Sequence, residues 1–362
     1  MSDQTIRAPQ TTVRAPRPRA ENEDAYLEVT DLQVRFPTAD GIVKAVQGLS
    51  YSLSLRRTLA IVGESGSGKS VSSMAVMGLH DTKTARISGS IKVGGKQIVG
   101  MSEKDLESYR GADAAMIFQD PQSSLHPYFT VGDQIMEAYR AHNRVSKRAA
   151  KERAIDMLGR VGIPNPRCRV DNYPHEFSGG MRQRAMIAMA LINDPKLLIA
   201  DEPTTALDVT VQAQILDLIA DLQRDFGSAV VFITHDLGVV AEIADDILVM
   251  YAGNAIEHGR VDKILGGPQH PYTWGLLESI PALKGEPQPL HPIPGTPPSL
   301  LAVPTGCAFH PRCEFRERVP DDLCRTLHPE LLPRTADPGR ASRCHLKDPN
   351  GIFEADVLPR LP

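Results

Sequence analysis

Short apolar runs recur along the chain, and four of them stop at residues that can take part in chemistry. The four runs are residues 58–62, 114–118, 197–200 and 230–234. Runs of this length with polar or turn-forming neighbours are typical of buried strands, so they predict an α/β fold. Ligands bind outside the carboxyl ends of strands in open α/β sheets, and we therefore expect the residues after the four runs to lie close together.

The first run leads into GESGSGKS, residues 63–70, which fits the pattern of a phosphate-binding loop. Its glycines permit positive φ angles and a close approach of backbone N–H groups to phosphate oxygens. A helix from about Lys69 would add its positive dipole end, and the Ser70 hydroxyl could ligate Mg²⁺. A chance Gly/Ser loop is the alternative. The expected ATP contacts are Gly63, Glu64, Ser65, Gly66, Ser67, Gly68, Lys69, Ser70 and Val71.

The other three runs are followed by acids, a glutamine and a histidine. Asp201 ends an apolar strand, where an unpaired carboxylate would be costly, so we expect it to hold the water shell of Mg²⁺. Glu202 could accept a proton from the water that attacks the γ-phosphate. Gln119 could complete the coordination shell of Mg²⁺ or the contacts around the attacking water, and His235 could contact the γ-phosphate. Solvated loop acids, a surface glutamine and a structural histidine are the alternatives.

A second segment that could bind phosphate precedes residues 181–192, which predict a helix because they lack Gly and Pro. Ser178 is a natural N-cap, and Gly179 and Gly180 would expose N–H groups at the positive end of that helix. The expected contacts are Ser178, Gly179, Gly180 and Met181. A chain needs only one phosphate-binding segment for the ATP that it holds itself. We therefore expect this second segment to face a nucleotide held by another subunit.

Composition limits the function classes. The chain has 362 residues and a net charge of −4. It therefore has no overall positive charge that would attract nucleic acid, and we expect no nucleic-acid partner. No apolar run is near the ~20 residues that span a bilayer, and no signal-peptide pattern opens the chain. These features favour a cytosolic protein whose membrane path, if any, lies in other chains. Residues 1–24 are predicted to be a disordered tail.

Proline and histidine become frequent from about residue 266, where we place a domain boundary between residues 25–265 and 266–362. Four of the five cysteines lie in the second part: Cys307, Cys313, Cys324 and Cys344. Their spacing is not that of a zinc motif, and disulfides are disfavoured in a reducing cytosol. Four cysteines in a short Pro-rich segment nevertheless suggest a metal site, with free thiols as the alternative. Cys168 is expected to be an ordinary thiol.

Taken together, these motifs resemble those of the ABC ATPase family, from about residue 27 to the end. Residues 63–70 resemble Walker A, residues 197–201 with Glu202 resemble Walker B and the catalytic glutamate, and residues 177–181 resemble the signature. Gln119 resembles the Q-loop glutamine, Asp208 the D-loop aspartate, and His235 the switch histidine. The resemblance implies a P-loop ATPase domain with a RecA-like core, a helical subdomain and an N-terminal antiparallel β part. It also implies a head-to-tail dimer.

Several segments resemble the oligopeptide/dipeptide permease ATPases in particular. They are residues 177–184, 269–273, 293–298 and 306–313. This likeness implies a [4Fe–4S] cluster on Cys307, Cys313, Cys324 and Cys344, with zinc second and free thiols third. Phe36 stands where the adenine-stacking aromatic is expected, although a core Phe is nearly as good an interpretation.

The resemblance implies an ATP-hydrolysing subunit of a peptide importer, peripheral on the cytoplasmic face of the membrane. Its expected partners are two transmembrane permease subunits, which would dock near residues 120–133 of this chain. A second, paralogous ATPase subunit is expected as well, and an extracytoplasmic solute-binding protein would be an indirect partner. The alternatives are a nickel or other small-solute importer, a DNA-repair or translation ATPase, and a regulatory ATP-binding module. Two residues depart from the family pattern: Arg56 replaces a turn glycine, and Trp274 replaces an arginine, which could alter a contact with a partner.

Overall fold

A computed structural model describes residues 24–120, 124–205, 207–280, 291–333 and 339–361. The predicted N-terminal tail lies outside the described residues except for Asp24. Residue 206, two positions before the predicted D-loop Asp208, and residues 121–123 of the predicted docking segment also lie outside them. No helix in the described ranges is both long and apolar enough to cross a membrane.

The N-terminal part is an antiparallel sheet of four strands in the order β2-β1-β4-β5. The strands are β1 Ala25–Thr38, β2 Gly41–Ser54, β4 Arg86–Val93 and β5 Lys96–Gln97. In β1, Leu27 and Val29 are buried on one face, but the next buried residue is Leu32, three positions on. The register shift between Val29 and Leu32 restores the alternation, so the same face stays apolar.

A second sheet has seven strands in the order β11-β10-β9-β3-β8-β7-β6. Its strands are β3 Thr58–Val62, β6 Ala114–Ile117, β7 Leu197–Asp201, β8 Ala229–Thr234, β9 Asp246–Tyr251, β10 Asn254–Arg260 and β11 Arg340–Ser342. The four strands predicted from apolar runs are adjacent and parallel, which confirms the α/β prediction. Their carboxyl ends therefore meet at one edge.

Helices cover the sheets and form a separate helical layer. In chain order they are α1 Lys69–Val76, α2 Glu103–Tyr109, α3 Val131–His142, α4 Lys147–Arg160, α5 Pro166–Arg169, α6 Gly179–Leu191, α7 Val209–Phe226, α8 Leu237–Ile243, α9 Val261–Gly266, α10 Pro271–Glu278, α11 Leu323–Thr326 and α12 Pro349–Ile352. Ile135 of α3, Leu158 of α4 and Met186 of α6 share one apolar core, as the expected helical subdomain requires. Helix α6 begins two residues before the predicted 181–192.

The C-terminal segment packs directly on the second sheet. Strand β11 pairs antiparallel with β10, and one apolar core joins Ala60 and Val62 of β3 to Phe309 and Trp274. Trp274 is only 1% exposed and its indole Nε1 donates to Pro268 O at 2.8 Å, so its ring is enclosed within this chain and does not face a partner. The ring instead fills this core.

The departure at Arg56 has a structural counterpart. Its φ is 63°, in the left-handed region that favours glycine, at the turn between β2 and β3. The turn is tied to the start of β8 by a hydrogen bond from Arg56 N to Ser228 O at 3.1 Å.

Candidate functional site

The phosphate loop after β3 has a shape that only glycine allows at two positions. Gly63 has φ 155° and Gly68 has φ 102°. A Cβ at Gly63 would lie 2.2 Å from Met250 O, and one at Gly68 would lie 2.3 Å from Ala45 O. Gly66 also has positive φ, but its Cβ would meet no atom within 4 Å. The loop is therefore held against its own chain at both ends and is open at the middle.

Lys69 lies at the start of α1 and is 6% exposed. Its Nζ donates to Gly63 O at 2.6 Å and to Glu64 O at 3.0 Å. Burial lowers the pKa of Lys69, and the nearby carboxylates of Glu202, Asp201 and Glu64 act in the opposite direction. The ammonium is thus placed inside the loop, where a phosphate would meet it.

Ser70 and Asp201 come from different strand ends and meet. Ser70 Oγ donates to Asp201 Oδ1 at 3.1 Å. Burial raises the pKa of Asp201, and the Ser70 hydrogen bond partly counteracts that rise. A hydroxyl and a buried carboxylate are the hard oxygen ligands that Mg²⁺ prefers, and a cation beside Asp201 would offset the cost of burying its charge. These residues fit the metal expected from the sequence.

Glu202 is the point where the other strand ends converge. Gln119 Nε2, just beyond β6, donates to Glu202 Oε2 at 3.0 Å, and His235 Nδ1, just beyond β8, lies 3.5 Å from Oε1. Glu202 has φ 45°, an uncommon conformation for a residue with a side chain, and its N–H donates to Ile233 O. The convergence predicted from the four apolar runs is confirmed.

Two contacts were missed from the sequence. Thr205 Oγ1 donates to Glu202 Oε2 at 2.9 Å, and the only signal was a hydroxyl residue three positions after the acid. Glu64 of the phosphate loop forms an ion pair with Arg312, 248 positions away, and no local pattern marked that pair.

The second predicted phosphate-binding segment lies at the N-terminus of α6. Ser178 caps the helix, since its Oγ accepts a hydrogen bond from Met181 N at 3.3 Å. Gly179 is exposed, and a Cβ there would meet no atom within 4 Å, whereas one at Gly180 would lie 3.3 Å from Val211 Cγ1. Packing within this chain therefore does not require glycine at position 179.

Phe36 and Asp208 have local contacts of their own. Phe36 is half-buried on β1 and its ring lies 5.6 Å from that of His80, edge to face. Asp208 caps α7, because its side chain accepts from Val211 N at 3.0 Å. Their predicted roles at the nucleotide and the dimer interface stay predictions.

The four C-terminal cysteines line one small cavity together with His270, Phe309 and Leu346. Cys307, Cys313, Cys324 and Cys344 form no disulfide in the part of the chain that the structure describes, and neither does the exposed Cys168. Burial raises the pKa of Cys307 to about 11, and it raises that of Cys313 as well. The thiols thus converge, but no three His, Cys, Asp or Glu side chains in the described ranges are placed closely enough to hold a metal ion.

Comparison with known proteins agrees with this geometry. The ABC transporter family model matches residues 46–205, and the model for the C-terminal region of oligopeptide/dipeptide transporters matches residues 256–319. The oligopeptide transport ATP-binding protein OppD of Salmonella typhimurium is 49% identical over 335 residues, 92% of this chain and 96% of that protein. This chain belongs to the ABC transporter ATP-binding proteins.

Other relatives place this ABC ATPase in the oligopeptide/dipeptide branch. OppD of Escherichia coli is 52% identical over 90% of this chain and 94% of its own length. The dipeptide transport ATP-binding protein DppD of Bacillus subtilis is 52% identical over 82% of this chain and 89% of its own length.

Solved structures show the same fold. The ATP-binding cassette MJ0796, a dimer bound to ADP and phosphate, aligns with a TM-score of 0.59 at 24% identity, over 65% of this ABC ATPase and 98% of that chain. The cbiO1 protein of Clostridium perfringens aligns with a TM-score of 0.57 at 27% identity, over 67% and 92% of the two chains.

Proposed function

We propose that this ABC ATPase is the ATP-hydrolysing subunit that energises import of di- or oligopeptides through a membrane permease. The observation that carries the proposal is the convergence of Gln119, Glu202 and His235 beside the phosphate loop. The names of relatives about 50% identical, all peptide transport ATP-binding proteins, support the cargo class.

In the proposed reaction, the loop N–H groups and Lys69 bind the phosphates of ATP. Ser70, Asp201 and Gln119 would hold Mg²⁺, which supplies positive charge at the phosphate oxygens when bound. Glu202 accepts the proton of the attacking water, and Gln119 and Thr205 orient its carboxylate through their hydrogen bonds to Oε2. His235 contacts the γ-phosphate and registers its loss, a role supported by the 3.5 Å distance from its Nδ1 to Glu202 Oε1.

We further propose that Ser178, Gly179, Gly180 and Met181 contact the ATP of a second, paralogous ATPase subunit, with Asp208 at the same interface. The open surroundings of Gly179 support this, because they leave room for a partner's nucleotide. Phe36 is the proposed stacking residue for the adenine ring.

The membrane partners would be two permease subunits, reached from the cytoplasmic face, with a solute-binding protein on the other side. Phe118, Tyr128 and Phe129 support docking near residues 120–133, since these residues are 43%, 83% and 54% exposed. Exposed aromatic residues of this kind are enriched in protein interfaces.

The test is affinity purification of the full chain from membranes solubilised in mild detergent, with the co-purifying chains identified by mass spectrometry. We expect two multi-spanning permeases and a second ATPase. A peptide-binding protein encoded with them would support peptide import, and a nickel-binding protein would favour the small-solute alternative. Ribosomal or DNA-repair partners without a membrane subunit would overturn the transport proposal.

We propose that residues 266–362 are a C-terminal domain of the oligopeptide-permease type whose four cysteines bind a [4Fe–4S] cluster, with zinc as the alternative. The convergence of four thiols on one cavity supports the proposal, since all-thiolate ligation suits such clusters. The thiols would have to move closer together to ligate a metal, because they are not at ligating distances in this structure.

Replacing Cys313 by Ser tests the cluster. We expect the wild-type protein, purified without oxygen, to contain iron and sulfide, and the Cys313→Ser variant to lose most of both. Cys168→Ser is the matched control, because Cys168 is exposed and distant in sequence from the cavity. Equal iron content in all three proteins would contradict the proposal, and stoichiometric zinc without iron would replace it.

A further inference from the structure

The side chain of Glu64, inside the phosphate loop, is held by the C-terminal segment. Arg312 Nη1 donates to Glu64 Oε2 at 2.7 Å, and Arg312 Nη2 donates to Oε1 at 3.1 Å. The Arg312 side chain is 6% exposed and that of Glu64 is 26% exposed. A two-pronged contact of this kind fixes the orientation of the carboxylate as well as its distance.

The backbone of Glu64 is held by the same segment. Glu64 N donates to the hydroxyl of Tyr272 at 2.7 Å. Tyr272 is fully buried on α10, and its ring lies 4.7 Å from that of Tyr251 and 5.4 Å from that of Phe309. The hydroxyl that meets the loop therefore has little freedom to move.

Arg312 is itself fixed by groups outside the loop. Its Nε donates to Pro294 O at 2.7 Å, and its Nη1 also donates to the Tyr251 hydroxyl at 3.3 Å. The guanidinium carbon lies 5.8 Å from the Tyr251 ring centre and 6.0 Å from that of Phe309. Because these contacts fix the guanidinium independently of Glu64, Arg312 holds the Glu64 carboxylate in place.

Glu64 is in turn coupled to the residue that would meet the phosphates. Its carbonyl oxygen accepts a hydrogen bond from Lys69 Nζ at 3.0 Å and another from Ser67 N at 3.2 Å. A shift of Glu64 would therefore change the turn of the loop and the position of the ammonium.

We propose that Arg312 and Tyr272 are positioning residues for the phosphate loop, so that the C-terminal segment completes the ATP site of its own chain. The inference rests on the proposed function only in that the loop binds ATP. Arg312 directly precedes Cys313, so a change at the cysteine cavity would reach the ATP site through one residue.

The experiment uses the full chain and measures Mg-ATP affinity by calorimetry, kcat and KM for ATP hydrolysis, and thermal unfolding without nucleotide. We expect Arg312→Ala to weaken ATP binding about tenfold or more and to raise KM more than it lowers kcat, because the loop is no longer held in its binding shape. Arg312→Lys keeps the positive charge but cannot form both hydrogen bonds to the Glu64 carboxylate, so its affinity for ATP should lie between those of Arg312→Ala and the wild type.

Two further variants keep the test decisive if Arg312→Ala fails to fold. Tyr272→Phe removes only the oxygen that accepts from Glu64 N, and it should weaken ATP binding severalfold with little loss of thermal stability. The control is Arg318→Ala, which removes an arginine from the same segment that pairs with Asp356 at 2.6 Å. We expect it to leave ATP affinity unchanged.

A double-mutant cycle isolates the contact. Glu64→Gln and Arg312→Ala should each weaken ATP binding, and the double variant should be no weaker than the worse single one. Independent, multiplying effects would overturn the proposal, as would Tyr272→Phe and Arg312→Lys proteins that bind ATP like the wild type. A wild-type protein that binds no Mg-ATP would instead count against the proposed function itself.

Discussion

Two helices of this protein begin at glycine-containing segments suited to phosphate, and their surroundings differ. At α1, the loop is closed by its own chain: Lys69 is 6% exposed, and a Cβ at Gly68 would lie 2.3 Å from a backbone oxygen. At α6, Gly179 is exposed with no atom near the position of a Cβ. The first segment is completed within the chain, and the second has the open surface that a second subunit's nucleotide would need.

The caps differ in the opposite sense. Ser178 satisfies the Met181 N–H at the start of α6, whereas α1 has no side-chain cap at Gly68. Uncapped N–H groups at a helix start are available to a phosphate. The comparison teaches that similar glycine patterns have different causes within one chain: packing requires glycine at Gly68, before α1, whereas nothing in this chain requires it at Gly179 of α6.

The largest expected effect tests the hydrolytic residues beside α1. Glu202→Gln removes the proposed base but keeps the shape of the side chain, so kcat should fall by about 10²- to 10⁴-fold while ATP still binds. Phosphate release and ATP affinity are the measurements. Glu317→Gln, at a carboxylate whose side chain is 83% exposed, is the control. Substantial hydrolysis by the Glu202 variant would refute the assignment of the base.

A smaller effect tests the open surface at α6. Gly179→Asp places a negative charge where a partner's phosphate would bind, so hydrolysis should fall on the order of 10²-fold in the assembled transporter. The fold should not suffer, because an acid in the first turn suits the helix dipole. Gly179→Ala, with no charge, should be milder. If Gly179→Asp instead weakens ATP binding to the isolated chain, the two helix starts serve the same nucleotide and the comparison fails.

The smallest effect concerns stability and tests how much the packing of Gly68 at the start of α1 requires glycine. Gly68→Ala should lower the free energy of unfolding by about 1–3 kcal/mol, since it adds a backbone clash to an unfavourable φ. Gly66→Ala shares the positive φ without the clash and should cost about 1 kcal/mol. Urea denaturation without nucleotide measures both. Equal losses would mean that the clash is relieved by movement of the loop.

Much of the fold and of the ATP site could be predicted because the signals are local. Each of the four runs is a strand buried on both faces, so its apolar residues are consecutive. The polar residues of the site come at or just after the ends of these buried strands. The residues just beyond those strands, Gln119, Glu202 and His235, meet because parallel adjacent strands bring their carboxyl ends to one edge.

The remaining features depended on tertiary structure. The pairing of β11 with β10, the burial of Trp274 and the contact of Arg312 with Glu64 join residues far apart along the chain. A strand of three residues and a single, partly buried ion pair carry no periodicity that a sequence could display. By itself, the sequence determined which residues end the strands and which chemistry they offer. Only the tertiary structure decided what holds the phosphate loop in place, because that depends on how a distant segment packs against it.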